Sequence, residues 1–444
     1  MRRTLERTQW SPLAGIRAYQ EHRLKTVLQH AYDHVPYYRN LFRELGIQPS
    51  DIRGIDGLRQ LPLLSGETVR KRRREFLSDN ASRYHTVVYR TSGTSGTPME
   101  IYRDRFANSL EFAYYWRHWS WGGYRLGDRF AELGSLHFVN RDSLQGAASS
   151  WQPHLGRLML NSTLISHARA VEIADAIRRH RPRFLKGLPS AVYFLALCFK
   201  ERRISDISFQ AVFTTGETLT PLFRDMAESV FHCRVLDSYG QMEGAVTIAQ
   251  CMEGGYHVNS DYGLLELDST AFTRTGNAVV VPVVGTSLHN LSMPMIRYVV
   301  GDYLELCDSP VTCLCGRTLP LVKAIHGRSE DIIVTPDGRF VTSLFVVPEL
   351  AKGLRFVQFV QEAEDLLCVN VIPLETWDEA EEKRLVHTVR KFVGDGIKVA
   401  VHRIGPDEVI IDASGKLRTV ISRVKGLGDL RPQGMDRANC QMRS

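Results

Sequence analysis

The feature that most restricts the fold is an alternation of short apolar runs with amphipathic stretches between residues 86 and 249. Alternating strands and helices are typical of α/β domains. The predicted strands cover residues 86–89, 130–133, 184–185, 211–214 and 234–236, and the predicted helices cover residues 105–119, 168–179 and 221–230. The fold class expected from this pattern is α/β.

The segments on either side differ in character. Residues 1–65 are predicted to be helical, with Pro36 kinking or dividing a helix within residues 19–45. Residues from about 255 to 325 predict a β-rich subdomain, because short apolar runs are separated there by Gly, Asn and Pro. The strands expected in it cover residues 263–267, 278–284 and 303–307.

The C-terminal part predicts a compact α+β unit that begins near Ile332. Its expected elements are a helix over residues 379–393 and strands over residues 398–403 and 409–411. The polar tail over residues 428–444 is expected to be disordered.

Composition limits the class of protein. A chain of 444 residues that is 43% hydrophobic favours two to four domains and is not largely disordered. Its 56 Lys and Arg exceed the 49 Asp and Glu by 7, a mild bias that suits anionic small molecules as well as nucleic acid. The basic run from Arg70 to Arg74 is expected to be a solvated helix face, because no aromatic residues for base stacking are interleaved with it. No nucleic-acid partner is therefore expected.

Neither a membrane span nor a secretion signal is expected. No stretch reaches the roughly 18 uncharged apolar residues that a span requires, and the first residues carry no apolar signal segment. The predicted location is the cytoplasm, where the eight Cys would be reduced thiols or metal ligands.

The most informative segment is a hydroxyl-rich loop directly after the first predicted strand. It comprises Thr91, Ser92, Gly93, Thr94, Ser95, Gly96 and Thr97. Such a loop offers many N–H and O–H donors, which suit a polyphosphate. It lacks the Gly-Lys-Ser/Thr ending of a Walker A motif. The alternative is a flexible surface turn, but the repeated Thr-Ser-Gly-Thr order favours a nucleotide loop.

This loop resembles the phosphate loop of the adenylate-forming (acyl-CoA synthetase) superfamily, and five further segments match in the order of that superfamily. They are Thr214–Glu217, Asp237–Glu243, Pro294–Asp302, Gly327–Arg328 and Ser414–Arg418. Two other segments, His30–Arg39 and Lys186–Ser190, look like the phenylacetate–CoA ligase and CapK-like branch. The resemblance covers residues 10 to about 425. It implies a large N-terminal adenylate-forming domain over residues 1–327 and a small mobile C-terminal lid domain over residues 328–427.

The resemblance also implies roles for individual residues. The loop from Thr91 to Thr97 would hold the β- and γ-phosphates of ATP, and Glu243 would bind Mg²⁺. Tyr239 would stack on adenine, and Asp302 would accept hydrogen bonds from the ribose. The remaining implied residues are Gly216, Glu217, Asp237, Gly240, Met242 and Arg328 at the nucleotide, Glu330 and Asp331 at the hinge, and Lys416 beside the carboxylate and the α-phosphate.

One residue departs from the pattern of the superfamily. Met242 stands where the signature usually has Thr, so a hydroxyl expected near the α-phosphate is missing while Glu243 is kept.

A second constellation predicts a structural zinc site. Cys251, His257, Cys313 and Cys315 supply three thiolates and an imidazole, a closed tetrahedral set suited to Zn²⁺. Cys307 is a spare ligand candidate, and ordinary buried cysteines are the alternative. Some proteins of the branch resemble this pattern and carry zinc there.

The substrate residues are the least determined. Leu133, Gly134, Ser135, His137 and Gly187 are candidates for an acyl pocket. Aromatic residues that favour a slot for an aryl or short acyl acid are Trp116, Trp119, Trp121 and Phe138.

The predicted function is that of an ATP-dependent ligase that forms an acyl-adenylate and passes the acyl group to an acceptor. The resemblance favours CoA as the acceptor, with an amine or a carrier protein as alternatives. A relative that binds nucleotide without catalysis is the alternative from another class. The protein is expected to be a monomer or a homodimer.

Overall fold

The computed structural model describes residues 2–90, 99–134, 142–144, 146–267, 273–275, 278–307, 311–328, 333–336, 340–341, 353–410 and 419–424. The α-helices of this part of the chain are α1 (Arg2–Thr8), α2 (Leu13–His34), α3 (Pro36–Leu45), α4 (Gly66–Lys71), α5 (Arg73–Phe76), α6 (Arg105–Trp121), α7 (Ala170–His180), α8 (Pro189–Glu201), α9 (Pro221–Phe231) and α10 (Glu379–Val393).

The strands of the large N-terminal part and of its β-rich sheet are β1 (Val87–Arg90), β2 (Glu100–Arg103), β3 (Phe130–Gly134), β4 (Ser149–Gln152), β5 (Arg157–Asn161), β6 (Phe184–Gly187), β7 (Ala211–Thr215), β8 (Arg234–Gly240), β9 (Thr247–Gln250), β10 (Tyr256–Val258), β11 (Gly263–Glu266), β12 (Thr273–Thr275), β13 (Ala278–Ser287), β14 (Tyr298–Glu305), β15 (Leu321–Val322) and β16 (Ala324–Arg328). The C-terminal strands are β17 (Ile333–Val334), β18 (Phe340–Val341), β19 (Leu354–Ala363), β20 (Leu366–Pro373), β21 (Lys398–Arg403) and β22 (Val420–Ser422).

The largest sheet has nine strands in the order β15-β10-β9-β8-β7-β6-β3-β5-β4. Its centre, from β8 to β5, is parallel. Helices α7, α8 and α9 pack on one face, where alternate strand residues such as Leu133, Leu185 and Val212 form a buried core with them. Helix α6 covers the other face, where Phe213 and Leu236 lie near Trp119. Helices on both faces explain why the central strands lack polar alternation.

A second sheet, in the order β11-β13-β14-β16, carries the β-rich part, with β12 pairing at β13. The N-terminal helices pack beside it, and Tyr38, Phe42 and Met295 are buried in their shared core. Pro36 divides the helical segment as predicted, because it is the first residue of α3, where the missing N–H has no partner to lose.

The C-terminal unit is a four-stranded sheet, β21-β20-β19-β22, with α10 packed on it through Leu385 and Val389. The helix predicted over 379–393 and the strand predicted over 398–403 have these bounds in the structure. This unit contacts α8, where the Tyr193 hydroxyl donates to the Arg355 carbonyl at 3.2 Å and the Arg355 guanidinium pairs with Glu201 at 3.2 Å.

Three sequence predictions about strands were wrong. The strand predicted over residues 303–307 is the last part of β14, which pairs with β13 from Tyr298 and ends at Glu305. The strand predicted to end at residue 236 continues to Gly240, because it pairs with β7 and β9 on both sides. The strand predicted over 409–411 is absent from its described residues 409–410. There the N–H and C=O of Ile410 bond to the side chain of Gln358, which replaces strand pairing.

The large sheet also extends further than predicted, because β10 and β15 lie within the region assigned to the β-rich subdomain. The predicted tail, residues 428–444, lies outside the described residues. Among the described helices, none combines the length and the apolar character that crossing a membrane requires.

Candidate active site

Most of the described candidate nucleotide residues lie at one edge of the large sheet. Strands β6, β7 and β8 run parallel and end at Gly187, Thr215 and Gly240. In open α/β sheets, ligands bind beyond the carboxyl ends of the strands. The segments that follow β7 and β8 contain the candidates Gly216, Glu217 and Glu243.

Tyr239 and Asp302 are joined directly. The Tyr239 hydroxyl donates to Oδ2 of Asp302 at 2.6 Å, although the two residues are 63 positions apart. Asp302 is buried on β14, where its backbone pairs with that of Arg328 on β16. The contact therefore links the end of β8 to the second sheet at the two residues predicted for adenine and ribose.

Glu243 lies beside the same second sheet. It is buried, and its Oε1 accepts a hydrogen bond of 2.9 Å from the hydroxyl of Tyr298, the first residue of β14. A side chain at Gly66 would lie 3.2 Å from that hydroxyl, so this position favours glycine. Met242, in contrast, is exposed. The carboxylate is thus held in place while its neighbour faces solvent.

The segment after β7 contacts the start of α8. Glu217 Oε2 accepts from the backbone N–H of Ser190 at 3.0 Å, in the first turn of α8, where free N–H groups favour an anion. Gly216 has φ of +86°, a left-handed conformation that glycine adopts without strain. Together these features turn the chain sharply at the carboxyl end of β7.

Asp237 lies on β8 two residues before Tyr239, further from the carboxyl end of the strand. Its Oδ1 accepts from Thr214 Oγ1 at 2.7 Å, and its Oδ2 accepts from the Tyr256 hydroxyl at 3.4 Å. Burial raises the pKa of Asp237 to about 6 despite these hydrogen bonds. The structure therefore gives this predicted nucleotide residue protein partners on both carboxylate oxygens.

Several predicted site residues lie outside the described residues. They are Thr91, Ser92, Gly93, Thr94, Ser95, Gly96, Thr97, Ser135, His137, Phe138, Glu330, Asp331 and Lys416. The strands that flank the hydroxyl-rich segment are described. β1 and β2 pair antiparallel, with Arg90 opposite Glu100.

The candidate acyl residues fall on two different faces of the sheet. Leu133 is buried in the core beneath α7 and α8, and a Cβ at Gly187 would lie 2.9 Å from its Cβ, on that same face. These two positions are therefore filled by core packing. Gly134 ends β3 on the α6 side, where a Cβ would lie 3.5 Å from Met159.

Of the predicted aromatic residues that the structure describes, Trp119 lies over the central strands on the α6 face. Trp121 is buried against the Cys/His cluster, and Trp116 is exposed. The predicted site residues do not include Tyr115, which hydrogen-bonds Thr215 at the end of β7 and whose hydroxyl lies 3.9 Å from the position of a Cβ at Gly240. The spacing of Tyr115 and Trp119, four residues apart on one helix face, is the signal that could have found it.

The predicted zinc ligands come together in space. The ligand atoms of Cys251, His257, Cys313 and Cys315 lie within 4.8 Å of one another. Cys251 Sγ lies 3.5 Å from Cys313 Sγ, and Cys315 Sγ lies 3.2 Å from Nε2 of His257. Cys307 is not part of this group.

The cluster has the chemistry that a structural zinc ion requires. His257 Nδ1 lies 3.2 Å from the Leu319 carbonyl, which orients Nε2 toward the sulfur atoms. Burial raises the pKa of Cys251 to about 12, so this thiol would stay protonated without a cation beside it. A divalent cation removes that penalty, and the residues present therefore fit the ion.

The basic run from Arg70 to Arg74 is partly neutralised by acidic neighbours. Lys71 pairs with Glu67 at 2.7 Å, and Arg73 pairs with Glu100 at 2.7 Å. Arg72 pairs with Glu75 at 2.7 Å and lies over the ring of Tyr37. These contacts agree with the solvated helix face predicted from the sequence.

Comparison with known proteins gives matches over most of the chain. It is 24% identical to phenylacetate–coenzyme A ligase from Thermus thermophilus, with 92% of this chain and 97% of the relative covered. It is 22% identical to protein CapK from Staphylococcus aureus, with 88% and 85% covered. No family model matches the chain.

Among solved structures, the chain is similar to 2-hydroxyisobutyryl-CoA ligase in the postadenylation state. The TM-score is 0.73 at 20% identity, with 94% of this chain and 91% of that chain covered. This likeness confirms the predicted α/β fold class with a small α+β unit at the C-terminal end.

Proposed function

We propose that this chain is an ATP-dependent, AMP-forming ligase that activates a carboxylic acid and transfers the acyl group to CoA. It belongs to the phenylacetate–CoA ligase-like branch of the adenylate-forming superfamily, because it aligns with phenylacetate–CoA ligases and CapK over most of its length. The observation that carries the proposal is the contact between Tyr239 and Asp302 at the carboxyl edge of the sheet, beside the buried Glu243. It brings two separate superfamily motifs together, Asp237–Glu243 and Pro294–Asp302.

The first step is an attack by a carboxylate oxygen on the α-phosphorus of ATP. The bond from that phosphorus to the bridging oxygen breaks, and pyrophosphate leaves. Because two anions must meet, the protein has to neutralise and position them. The loop from Thr91 to Thr97 would hold the leaving phosphates with its donors, and Lys416 would place an ammonium between the two reacting anions.

Glu243 is proposed as a ligand of Mg²⁺. A magnesium ion prefers carboxylate and phosphate oxygens, and it would reduce the negative charge of the triphosphate. The hydrogen bond from Tyr298 to Oε1 supports this role, since it holds the carboxylate in place. Asp302, oriented by Tyr239, would accept from the ribose hydroxyls.

In the second step the sulfur of CoA attacks the acyl carbon, and AMP leaves. A rotation of the C-terminal unit about Glu330 and Asp331 would move Lys416 away from the reaction site and bring to it the surface that admits CoA. The CoA ligases among the relatives support this acceptor. Amines and carrier proteins remain the alternatives to be tested.

The Cys251, His257, Cys313 and Cys315 cluster is proposed to hold a structural Zn²⁺. All four ligands belong to the protein, so the ion would have no open position for substrate. Its role would be to join the hairpin of β9 and β10, which carries Cys251 and His257, to the segment around Cys313 at the end of the large sheet. Cytoplasmic location and a monomeric or homodimeric state stay predictions.

The test is to incubate the protein with ATP, Mg²⁺ and a panel of acids, and to add CoA, amines or a carrier protein in parallel. Product masses identify the acceptor, and pyrophosphate release reports the first step. We expect acid-dependent pyrophosphate release and an acyl-CoA product. Lys416→Ala should remove most adenylation while ATP still binds. If wild-type protein binds ATP but releases no pyrophosphate with any acid, the chain is a nucleotide-binding relative without catalysis.

A further inference from the structure

A mixed cluster of charged and aromatic side chains lies on the α6 face of the large sheet. The rows of this face follow from the pairing register. Glu132, Lys186, Phe213 and Leu236 form one row, and Gly134, Thr215 and Ser238 lie two residues further toward the carboxyl ends. In this row, Phe213 and Leu236 are buried and apolar. The charged residues Glu132 and Lys186 lie beside them, and their position therefore needs an explanation.

The charged residues form a three-membered chain. Lys186 Nζ lies 3.0 Å from Glu132 Oε1, and Arg157 lies 2.9 Å from Glu132 Oε2. All three side chains are partly buried, with 28%, 21% and 26% of their surface exposed for Lys186, Glu132 and Arg157. Two cations share one carboxylate, so the cluster carries a net positive charge.

Aromatic rings form the wall next to this cluster. Lys186 Nζ lies 4.8 Å from the ring centre of Trp119 and 5.6 Å from that of Phe130. Trp119 is stacked against Tyr115, with ring centres 6.3 Å apart, and Tyr115 reaches Thr215 at the edge of the sheet. A continuous aromatic surface therefore leads from the carboxyl ends of the strands to the Lys186 ammonium.

The length of this surface matches a single aryl acid. In the register of the two strands, Lys186 on β6 is opposite Phe213 on β7, and Thr215 is two residues beyond Phe213 on β7. One strand spacing and two residues of rise separate the Cα atoms of Lys186 and Thr215 by about 8 Å. If the reacting carboxylate lies near Thr215 and Gly240, the far end of an aromatic ring lies near the ammonium.

We propose that Lys186 binds an oxygen substituent at the far end of an aromatic acid, so that the preferred substrates are oxygen-substituted aryl acids. This inference rests on the proposed function and names the substrate class of the same site. Glu132 occupies one of the three N–H donors of Lys186, and the others can bond to a ligand oxygen. The net positive charge disfavours an amino substituent, and the ring packs against Trp119 and Tyr115.

Matched substrates test the proposal. The probes are phenylacetate and its 4-methyl, 4-hydroxy and 4-carboxy derivatives, and the measurement is kcat/KM for pyrophosphate release. The methyl and hydroxyl derivatives have nearly the same size, so their ratio isolates the oxygen. We expect wild-type protein to prefer at least one of the oxygen-bearing acids over the methyl acid by about tenfold or more, because a site built around a polar group rejects an analogue that lacks it.

Variants assign that preference to Lys186. Lys186→Met should reduce the preference to within about threefold, and Lys186→Arg should retain most of it. The double variant Glu132→Gln with Lys186→Met removes both charges of the Lys186–Glu132 pair and should behave as the single Met variant does. Lys200→Met, on the exposed face of α8, is the control and should match wild type.

Two outcomes overturn the proposal. One is that wild-type protein uses the methyl acid as well as both oxygen-bearing acids, and the other is that Lys186→Met retains the wild-type preference. Calorimetric binding of the same acids, measured without ATP turnover, separates this failure from failure of the proposed function. If no acid supports pyrophosphate release but the oxygen-bearing acids bind wild type and not Lys186→Met, the proposed function is wrong and the binding role of Lys186 stands.

Discussion

The hydroxyl of Tyr239 donates a 2.6 Å hydrogen bond to the carboxylate of Asp302, and this contact connects the parallel sheet to the β-rich sheet. The ring of Tyr239, held by this hydrogen bond, cannot change its orientation freely relative to β8. The position of any group stacked on Tyr239 is then tied to the carboxylate that would hold the ribose. This bond would thus position the two halves of the proposed nucleoside site relative to each other.

The first prediction concerns that bond. Tyr239→Phe keeps the ring and removes the donor, so Asp302 loses its orientation. We expect KM for ATP to rise about tenfold with a smaller change in kcat, since a hydrogen bond to a charged group contributes about 1.5–3 kcal/mol. Steady-state kinetics with varied ATP measure this. Tyr303→Phe, on the same strand as Asp302, is the matched control, and an equal effect there would contradict the assignment.

The second prediction concerns Glu243. Glu243→Gln should lower kcat by at least about a hundredfold and raise the Mg²⁺ concentration needed for half-maximal rate, because a neutral amide is a poor ligand of a hard cation. Tyr298→Phe should have a milder effect in the same direction, below about tenfold, since it only frees the carboxylate to move. Magnesium titrations of the initial rate measure both. An unchanged magnesium requirement in Glu243→Gln would remove the metal role.

The third prediction concerns pH and stability. Burial raises the pKa of Asp237 to about 6, above the unfolded value of about 3.9. The folded state therefore holds the proton more tightly, and this stabilisation is complete below about pH 4 and is lost as the pH rises through about 6. Asp237→Asn should remove this dependence. Relative to the variant, wild type should lose on the order of 2 kcal/mol of unfolding free energy between pH 4 and pH 7.

Urea unfolding at several pH values measures this difference. Asp225→Asn, which changes an exposed carboxylate on α9, is the control and should follow the wild-type curve. A pH profile of Asp237→Asn parallel to that of wild type would show that Asp237 titrates normally.

The fourth prediction concerns the Cys/His cluster. Purified protein should contain about one zinc per chain by elemental analysis, and Cys313→Ser should lose it. The melting temperature of that variant should fall by several degrees, because metal binding contributes to folding free energy. Cys233→Ser, outside the cluster, should keep both the zinc and the melting temperature. Wild-type protein that refolds fully in the presence of a chelator would argue against the ion.

A structural feature of this protein can be predicted from the sequence when the residues that determine it are close together in the chain. Pro36, the helix over 379–393 and the Cys/His set were predictable, because a fixed φ, an amphipathic period and a ligand type are properties of short segments. The Tyr239–Asp302 contact was predictable only through the motif resemblance, since no spacing rule connects positions 63 residues apart. The sheet edge at β10 and β15 was not predictable, because those strands contain three and two residues.

The remaining differences between the predicted and the observed site residues arise from the face of the sheet to which each side chain points. The sequence suggests Leu133 and Gly187 as candidates for an acyl pocket, yet alternation along β3 and β6 turns them to the core face. Their neighbours Glu132 and Lys186 are on the opposite face for the same reason. A shift of one residue in the register of a strand would exchange the residues on its two faces. Only the observed strand pairing shows which residues face α6.

The Cys/His cluster also affects how the chain reaches its folded state. Cys251 and Cys313 are separated by 62 positions, and strands β11 to β14 of the β-rich sheet lie between them in sequence. A cross-link at these positions turns that whole segment into a closed loop in the unfolded chain. By analogy with a covalent bridge of that span, the lost conformational entropy of the open chain corresponds to about 4 kcal/mol. An ion bound to these ligands in the unfolded chain would therefore hold the two ends of the segment together before folding begins.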